Sequence, residues 1–410
     1  MSSYISIEEL KVGLQFDTEV IPVGRLAQRD HKIYFEYDAG FLQSDLEISP
    51  LKLPLDSGLH VFDYRPFEGL PGVFNDSLPD GWGRLLFDRY IRSQNLLPED
   101  FTPLDRLAHV GMGGLGALVY EPDHSNLEKE HEAVDLDILS QQTQDVLEGE
   151  ANEVLQELID LNGSSAGARP KALIGLDASK KNIISGKHNL IDGYEHWLVK
   201  FANSNDGADA GAIEYVYALM AEEAGVEMMP VHLFEAKKGA GYFATQRFDR
   251  NGNQRLHVHT ASGVLHSNFR VPSLDYEDLL TLTGVLTQDI REVEKMYRLA
   301  VFNVMSHNRD DHGKNFSFLM DAKGKWKFSP AYDLTFSSGP RGHQSTMVMG
   351  EGGSPTLEHL ISLGTEANLK KKKIEEIIEQ TKHVLSQWED LASNYGVTKT
   401  NIKLIKSRML

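Results

Sequence analysis

The sequence of 410 residues contains no cysteine. This absence excludes disulfide bonds, thiolate zinc sites and cysteine nucleophiles, and it fits a protein of a reducing compartment. Long apolar runs are also missing, since none approaches the ~18 residues that a membrane-spanning helix needs. The first ten residues lack the basic and then apolar pattern of a signal peptide. We therefore expect a cytoplasmic protein without a membrane-spanning segment.

Positive charge is scarce. The chain has 41 Lys and Arg residues against 60 Asp and Glu residues, which gives a formal net charge of −19. A chain this acidic gains little from the phosphate attraction that drives non-specific nucleic-acid binding. Direct DNA binding by this chain alone is therefore disfavoured. The hydrophobic content of 41% and the charged content of 25% are typical of a globular protein, long enough here for two or three compact domains.

The pattern of elements predicts an α+β fold. Up to about residue 65, apolar and polar residues alternate between turn residues, which indicates short strands. The acidic, polar stretch 121–150 indicates a domain boundary. Beyond it we predict a helix, a small-residue loop at 163–167, strands at 172–176, 197–201 and 242–248, an amphipathic helix around Ile213–Met220, and a mostly helical remainder.

The segment 307–315, His-Asn-Arg-Asp-Asp-His-Gly-Lys-Asn, carries the clearest chemistry. Protein kinases place a catalytic aspartate and a metal-binding asparagine in one loop with the spacing Asp-x-x-x-x-Asn, and Asp310 and Asn315 have that spacing. Strands predicted at 315–319 and 325–328 form a hairpin, which should return Asp333 close to Asn315. Two such side chains could converge on one magnesium ion.

The other half of a kinase site is a strand lysine paired with a helix glutamate. Lys200 ends the predicted strand 197–201, and Glu214 lies on the amphipathic helix that follows. The small-residue loop upstream of them could cradle phosphates with its backbone N–H groups.

Four parts of the sequence together resemble the HipA family of bacterial serine/threonine toxin kinases of type II toxin–antitoxin systems. They are residues 78–84 with the glycine-rich 110–118, then 164–171, then 246–250, and finally 308–315 with 332–334. The resemblance follows the same order over nearly the whole chain. It implies an N-terminal HipA-like domain (1–150), a nucleotide-binding kinase lobe (151–250) and a mostly α-helical catalytic lobe (251–410), the last two forming a protein-kinase-like bilobal fold.

The resemblance also implies roles for individual residues. Asp310 would be the catalytic base, Asn315 and Asp333 the Mg²⁺ ligands, and Glu214 the ion-pair partner of Lys200. Ser164 or Ser165 would be autophosphorylated. The residues expected to contact ATP are Lys200, Ala166, Gly167, Ala168, Lys171, Gln246, Arg247, Phe248, His312 and Lys314.

Members of this family phosphorylate translation components such as aminoacyl-tRNA synthetases. They are usually neutralised by a small helix-turn-helix antitoxin of the HipB type, so that contact with DNA is indirect. The resemblance therefore implies an ATP- and Mg²⁺-dependent serine/threonine-protein kinase acting on a protein substrate. This chain departs from the family at 168–171, where it has Ala-Arg-Pro-Lys and other members have Ala-Gln-Glu-Lys.

Two alternatives stay open. A kinase fold that only binds nucleotide or partner proteins would keep the binding residues without phosphate turnover. A serine hydrolase would use Ser165 in the Gly-x-Ser-x-Gly pattern, with Asp333 and His343 downstream, although the expected helix–serine–strand order does not match that motif.

Two further patterns are interpreted as structural. Gly111-x-Gly113-x-x-Gly116 matches a dinucleotide-binding motif but has a helix before it and a strand after it. For the pair His257 and His259 we assign no metal.

Overall fold

The structure is a computed structural model and describes residues 4–125, 132–149, 155–162, 167–186, 189–203 and 206–410. The strands are β1 (Glu9–Gln15), β2 (Val20–Arg29), β3 (Lys32–Tyr37), β4 (Leu59–Val61), β5 (Leu118–Glu121), β6 (Lys171–Asp177), β7 (Ile183–Ser185), β8 (Tyr194–Lys200), β9 (Val231–Phe234), β10 (Tyr242–Gln246), β11 (Arg250–Asn251), β12 (Gln254–Arg255), β13 (His257–Thr260), β14 (Leu274–Asp275), β15 (Ser317–Met320), β16 (Trp326–Phe328) and β17 (Thr346–Met347). The helices are α1 (Gly72–Asn75), α2 (Gly81–Ser93), α3 (Pro103–Val110), α4 (Leu136–Glu148), α5 (Leu155–Asn162), α6 (Ala210–Glu223), α7 (Ala261–Leu265), α8 (Tyr276–Thr287), α9 (Ile290–Met305), α10 (Leu357–Glu366), α11 (Lys371–Leu385), α12 (Trp388–Asn394) and α13 (Lys399–Lys406).

The first sheet has the order β4-β3-β2-β1-β5, and its strand pairs are antiparallel. Successive side chains of a strand point to opposite faces of the sheet, and one face of this sheet packs in the core. On β3, Ile33, Phe35 and Tyr37 are buried, whereas Lys32 and Glu36 are exposed. The alternating pattern before residue 65 thus predicted these strands correctly.

The second sheet has the antiparallel order β7-β6-β8-β10-β9. Strand β6 is buried from Lys171 to Leu176 and contains a continuous apolar run, whereas on β8 the buried residues are His196, Trp197 and Val199. An apolar cluster joins this sheet to α2, α4 and α5; it includes Trp82, Leu86, Leu139, Leu158, Ile174 and Val199. Helix α2, which comes from the N-terminal part of the chain, therefore packs on the second sheet.

Helices α8, α10 and α11 pack against α9. Residues at helical spacing along α9 are buried in the largest apolar cluster, which also contains residues of the first sheet and of α6; on α9 they are Val293, Met296, Tyr297, Ala300, Val301 and Val304. The third sheet has the order β13-β15-β16; β13 precedes α9 in the sequence, and β15 and β16 follow it. Its hairpin β15–β16 was predicted, but Gly313–Asn315 forms a 3₁₀ turn and the strand begins at Ser317, not at Asn315.

The predicted strand 242–248 ends earlier, at Gln246. The three domain divisions given above stay a prediction. In the part of the chain that the structure describes, no helix combines the length and apolar character needed to cross a bilayer.

Candidate active site

Lys200 lies at the end of β8 and is the electrostatic centre of the site. Its ammonium group donates hydrogen bonds to Glu214 of α6 and to Asp333, and its side chain is only 10% exposed. Burial alone would lower the pKa of Lys200, but the charges of Asp333 and Glu214 outweigh burial and raise it. The lysine is therefore held fully charged between two carboxylates.

Glu214 has a second cationic partner. Arg169 Nη1 donates to Glu214 Oε2 at 3.0 Å, and Arg169 Nε lies 3.1 Å from Asp206 Oδ2. Arg169 is one of the positions at which the chain departs from the family pattern. Its guanidinium extends the ion-pair network of Lys200, so the departure is accommodated inside the site.

The loop that follows α9 presents Asp310 and Asn315. Asn315 Nδ2 donates to the backbone carbonyl of Asp310 at 2.7 Å, which leaves the amide oxygen of Asn315 free of this bond. Asp310 faces a cavity, and partial burial raises its pKa above the ordinary value; the charge of Asp333 adds to this effect and that of His312 opposes it. A carboxylate with a raised pKa is better suited to accept a proton.

Asp311, next to Asp310, holds the loop in place. It is buried and accepts hydrogen bonds from Tyr276 Oη (2.7 Å), Gln344 Nε2 (2.9 Å), and the backbone N–H groups of Ser345 (3.0 Å) and Thr346 (3.2 Å). Burial raises the pKa of Asp311 to about 7 despite these donors. The loop is thereby attached to α8 and to the segment that leads into β17.

Asp333 follows the β15–β16 hairpin and has a left-handed backbone, with φ of 59°. Aspartate is among the residues that adopt this conformation most readily, which suits the sharp change of direction at this point. Burial would raise its pKa, but Lys200, Lys171 and Arg169 lower it more, so the carboxyl stays ionised. The preceding Tyr332 donates to the carbonyl of Lys314 at 2.6 Å and ties Asp333 to the Asp310 loop.

One cavity of about 610 Å³, within the usual size of a small-molecule site, is lined by Lys200, Glu214, Asp310, Asn315 and Asp333. Of the residues predicted to have functions, the cavity brings together Gly167, Ala168, Lys171, Lys200, Glu214, Gln246, Arg247, Phe248, Asp310, His312, Lys314, Asn315 and Asp333. Ala166, Ser164 and Ser165 lie outside the described residues. The individual roles stay predictions.

Besides Lys200, two further predicted ATP contacts have charged partners in the protein. Arg247 donates to both oxygens of buried Asp249, at 2.9 and 2.7 Å, and Asp249 also accepts from the N–H of Gly116 at 2.7 Å. Lys314 donates to Asp80 at 2.7 Å. The glycine-rich segment 111–116 is thus attached to Asp249, which agrees with its structural interpretation.

Sequence reasoning missed Asp80, Arg169, Asp249 and Asp311 as parts of the site. Asp80 and Asp249 lie inside two segments that carry the family resemblance, 78–84 and 246–250. Membership of these motifs is the one sequence feature that could have pointed to them. Nothing in the local pattern shows that Asp80 reaches Lys314, because 234 positions separate the two residues.

Two family models match the chain. The model of the HipA-like C-terminal domain matches residues 163–388, and that of the HipA N-terminal domain matches residues 16–121. The chain belongs to the HipA family. The predicted recognition is therefore confirmed.

Two solved structures are similar to this chain to different extents. The HipA chain in a complex of HipA, HipB and operator DNA from Shewanella oneidensis MR-1 is similar with a TM-score of 0.68, at 16% identity over 97% of this chain and 95% of that one. The proinflammatory kinase CtkA from Helicobacter pylori has a TM-score of 0.35 at 12% identity, covering 54% of this chain and 89% of that one. The likeness to the HipA structure confirms the predicted α+β class, with a strand-rich N-terminal part followed by a largely helical C-terminal part.

Proposed function

We propose that this HipA-family chain is a serine/threonine-protein kinase that transfers the γ-phosphate of ATP to a protein hydroxyl. The observation that supports the proposal best is the double ion pair of Lys200 with Glu214 and Asp333, at the wall of the cavity that also contains Asp310 and Asn315. A strand lysine paired with a helix glutamate, together with a loop aspartate and two metal-binding side chains, is the set of parts that phosphoryl transfer needs.

The donor set suits Mg²⁺. Asp333 offers an ionised carboxylate whose side chain is 34% exposed, and the bond from Asn315 Nδ2 to the Asp310 carbonyl leaves the amide oxygen as a ligand. In the proposal, Asp333 and Asn315 hold the ion, which when bound neutralises charge on the phosphates.

Asp310 orients the attacking hydroxyl and accepts its proton. A bond forms between the hydroxyl oxygen and the γ-phosphorus, the bond from that phosphorus to the β–γ bridging oxygen breaks, and ADP leaves. Lys200 contacts the phosphates, and Glu214 keeps its ammonium group in position.

The proposal extends to regulation and partners. Ser164 or Ser165 is the site of autophosphorylation, and the protein substrate is a translation component such as an aminoacyl-tRNA synthetase. The chain acts as the toxin of a toxin–antitoxin pair, with a helix-turn-helix antitoxin of the HipB type; the complex from Shewanella, which contains HipA, HipB and operator DNA, supports this partner.

The two alternatives make different predictions. Asp333 pairs with Lys200, and His343 lies exposed on the segment before β17, an arrangement that does not favour a hydrolase triad. A nucleotide-binding protein without turnover would bind ATP and transfer no phosphate.

The test is autophosphorylation with γ-labelled ATP and Mg²⁺, comparing the wild type with Asp310→Ala and mapping the label by mass spectrometry. Label on Ser164 or Ser165 that disappears in Asp310→Ala is the expected result. Binding of ATP with no label on the chain or on an added aminoacyl-tRNA synthetase would favour the non-catalytic alternative. A hydrolytic activity that is complete in Asp310→Ala and absent in Ser165→Ala would favour the hydrolase.

A further inference from the structure

Asp80 is a residue of the N-terminal part that reaches into the cavity. It lies at the turn that begins α2, and its side chain is 11% exposed. One carboxylate oxygen accepts a hydrogen bond from Lys314 Nζ at 2.7 Å, and the other accepts from the backbone N–H of Gly167 at 2.5 Å. One side chain thus joins the Asp310 loop and the end of the small-residue loop.

The backbone around Asp80 holds Gly167 from the other side. The N–H of Trp82 donates to the carbonyl of Gly167 at 3.0 Å. Gly81 has a φ of 46°, and a Cβ atom added there would lie 2.4 Å from the same carbonyl oxygen. Only glycine permits this approach, so the turn 80–82 contacts both polar backbone groups of Gly167.

Lys314 is fixed by two contacts. Besides its bond to Asp80, its ammonium lies 4.8 Å from the centre of the Phe269 ring, and its side chain is 6% exposed. Burial would raise the pKa of Asp80, but Lys314, the Gly167 N–H and Lys171 outweigh burial and lower it. The carboxyl group of Asp80 therefore stays ionised.

Stability alone is a weak explanation for this pair. A buried ion pair is often no more stabilising than apolar residues of the same volume, because both charges lose their hydration. Asp80, Gly167 and Lys314 all line the cavity, and an ammonium group has three N–H donors, so one bond to Asp80 leaves two for a ligand. The bond to Asp80 thus holds the Lys314 ammonium group and the backbone of Gly167 at the wall of the cavity.

We propose that Asp80 is a positioning residue of the nucleotide site, through which the N-terminal part sets Lys314 and the loop end at Gly167 in place for the phosphates. This inference rests on the proposed kinase function and extends it, because it makes the affinity for phosphate groups depend on a residue outside the kinase-like part. The purine end of the ligand does not depend on Asp80.

The test compares the affinities for Mg²⁺–ATP and for adenosine, which lacks phosphates, by titration calorimetry. Asp80→Asn keeps the shape and an acceptor for Gly167 but loses the charge, and Asp80→Ala loses both. The matched control is Asp88→Asn on the same helix, since Asp88 pairs only with half-exposed Arg84 among the described residues, at 2.7 Å.

We expect Asp80→Asn to weaken ATP binding by about tenfold or more, with a larger loss in Asp80→Ala, because a charged hydrogen bond that orients a phosphate-binding lysine is removed. Adenosine affinity should stay within about twofold in all variants, and Asp88→Asn should behave like the wild type. Amide exchange at Gly167 should accelerate in Asp80→Ala, where the acceptor is gone.

An unchanged or improved affinity of Asp80→Asn for ATP would overturn the inference. Equal losses for ATP and adenosine would also overturn it, because they would indicate a general structural role. A folded wild type that binds neither compound would instead contradict the proposed kinase function itself, so the two failures can be told apart.

Discussion

The ammonium group of Lys200 is hydrogen-bonded to the carboxylate of Asp333, although 133 positions of sequence separate the two residues. Lys200 belongs to the second sheet and Asp333 to the part that follows the third sheet. The bond joins the two sides of the cavity, and the charge of each group favours the ionised form of the other.

Lys200→Met should lower phosphoryl transfer by about 10²-fold or more, since it removes a fixed positive charge from the place where phosphate charge develops. The measurement is the rate of autophosphorylation at saturating ATP. Lys181→Met, an exposed lysine in the turn between β6 and β7, is the control and should retain wild-type activity. Wild-type rates in Lys200→Met would contradict the role assigned to this lysine.

Asp310→Asn should lower the rate by roughly 10²-fold or more, because an amide cannot accept the hydroxyl proton. In the wild type the carboxylate form is the active one, and its pKa is raised. Activity should therefore fall as the pH drops, at a higher pH than an ordinary aspartate would give. A pH–rate profile measures this, with exposed Asp390→Asn as control; only a modest rate loss in folded Asp310→Asn would count against the assignment.

Asp311→Asn should change how stability depends on pH. The pKa of Asp311 is about 7 in the folded protein, above its value in an unfolded chain, so the folded state binds the extra proton between about pH 4 and pH 7. The stabilising contribution is fully present below pH 4 and is lost as the pH rises to 7. The free energy of unfolding of the wild type should thus fall relative to Asp311→Asn over this range, by up to a few kcal/mol. The free energy of unfolding of both proteins is measured by denaturant titration at several pH values. The same pH dependence in the wild type and in Asp311→Asn would contradict the prediction.

Asp249→Ala should destabilise the fold by about 3–5 kcal/mol, because it leaves the buried guanidinium groups of Arg247 and Arg250 without their shared carboxylate. Glu36→Ala removes the exposed pair with Arg25 and should cost less than about 1 kcal/mol. Denaturant unfolding compares the two variants. Equal losses would show that Asp249 is not the centre of a buried network.

The sequence by itself determined the main elements and the spacing of the kinase-like loop. The period of about 3.6 along α9 and of 2 along β3 follows from which residues must face a core, so these elements were predictable from local pattern. The separation of Asp310 from Asn315 is also a local property. The predicted bounds of elements differ from the structure by a few residues: the strand predicted from Asn315 begins at Ser317, because a 3₁₀ turn precedes it.

Only the tertiary structure decided which distant charges meet. The bond of Asp80 to Lys314, the pairing of Arg169 with Asp206 and Glu214, and the four donors around Asp311 join residues that share no local pattern. Hydrophobic periodicity specifies which face of an element is buried but not which charged group lies opposite it. A buried charge must find a partner wherever the packing brings one, and in this protein the packing of α2 on the second sheet brings Asp80 to the cavity.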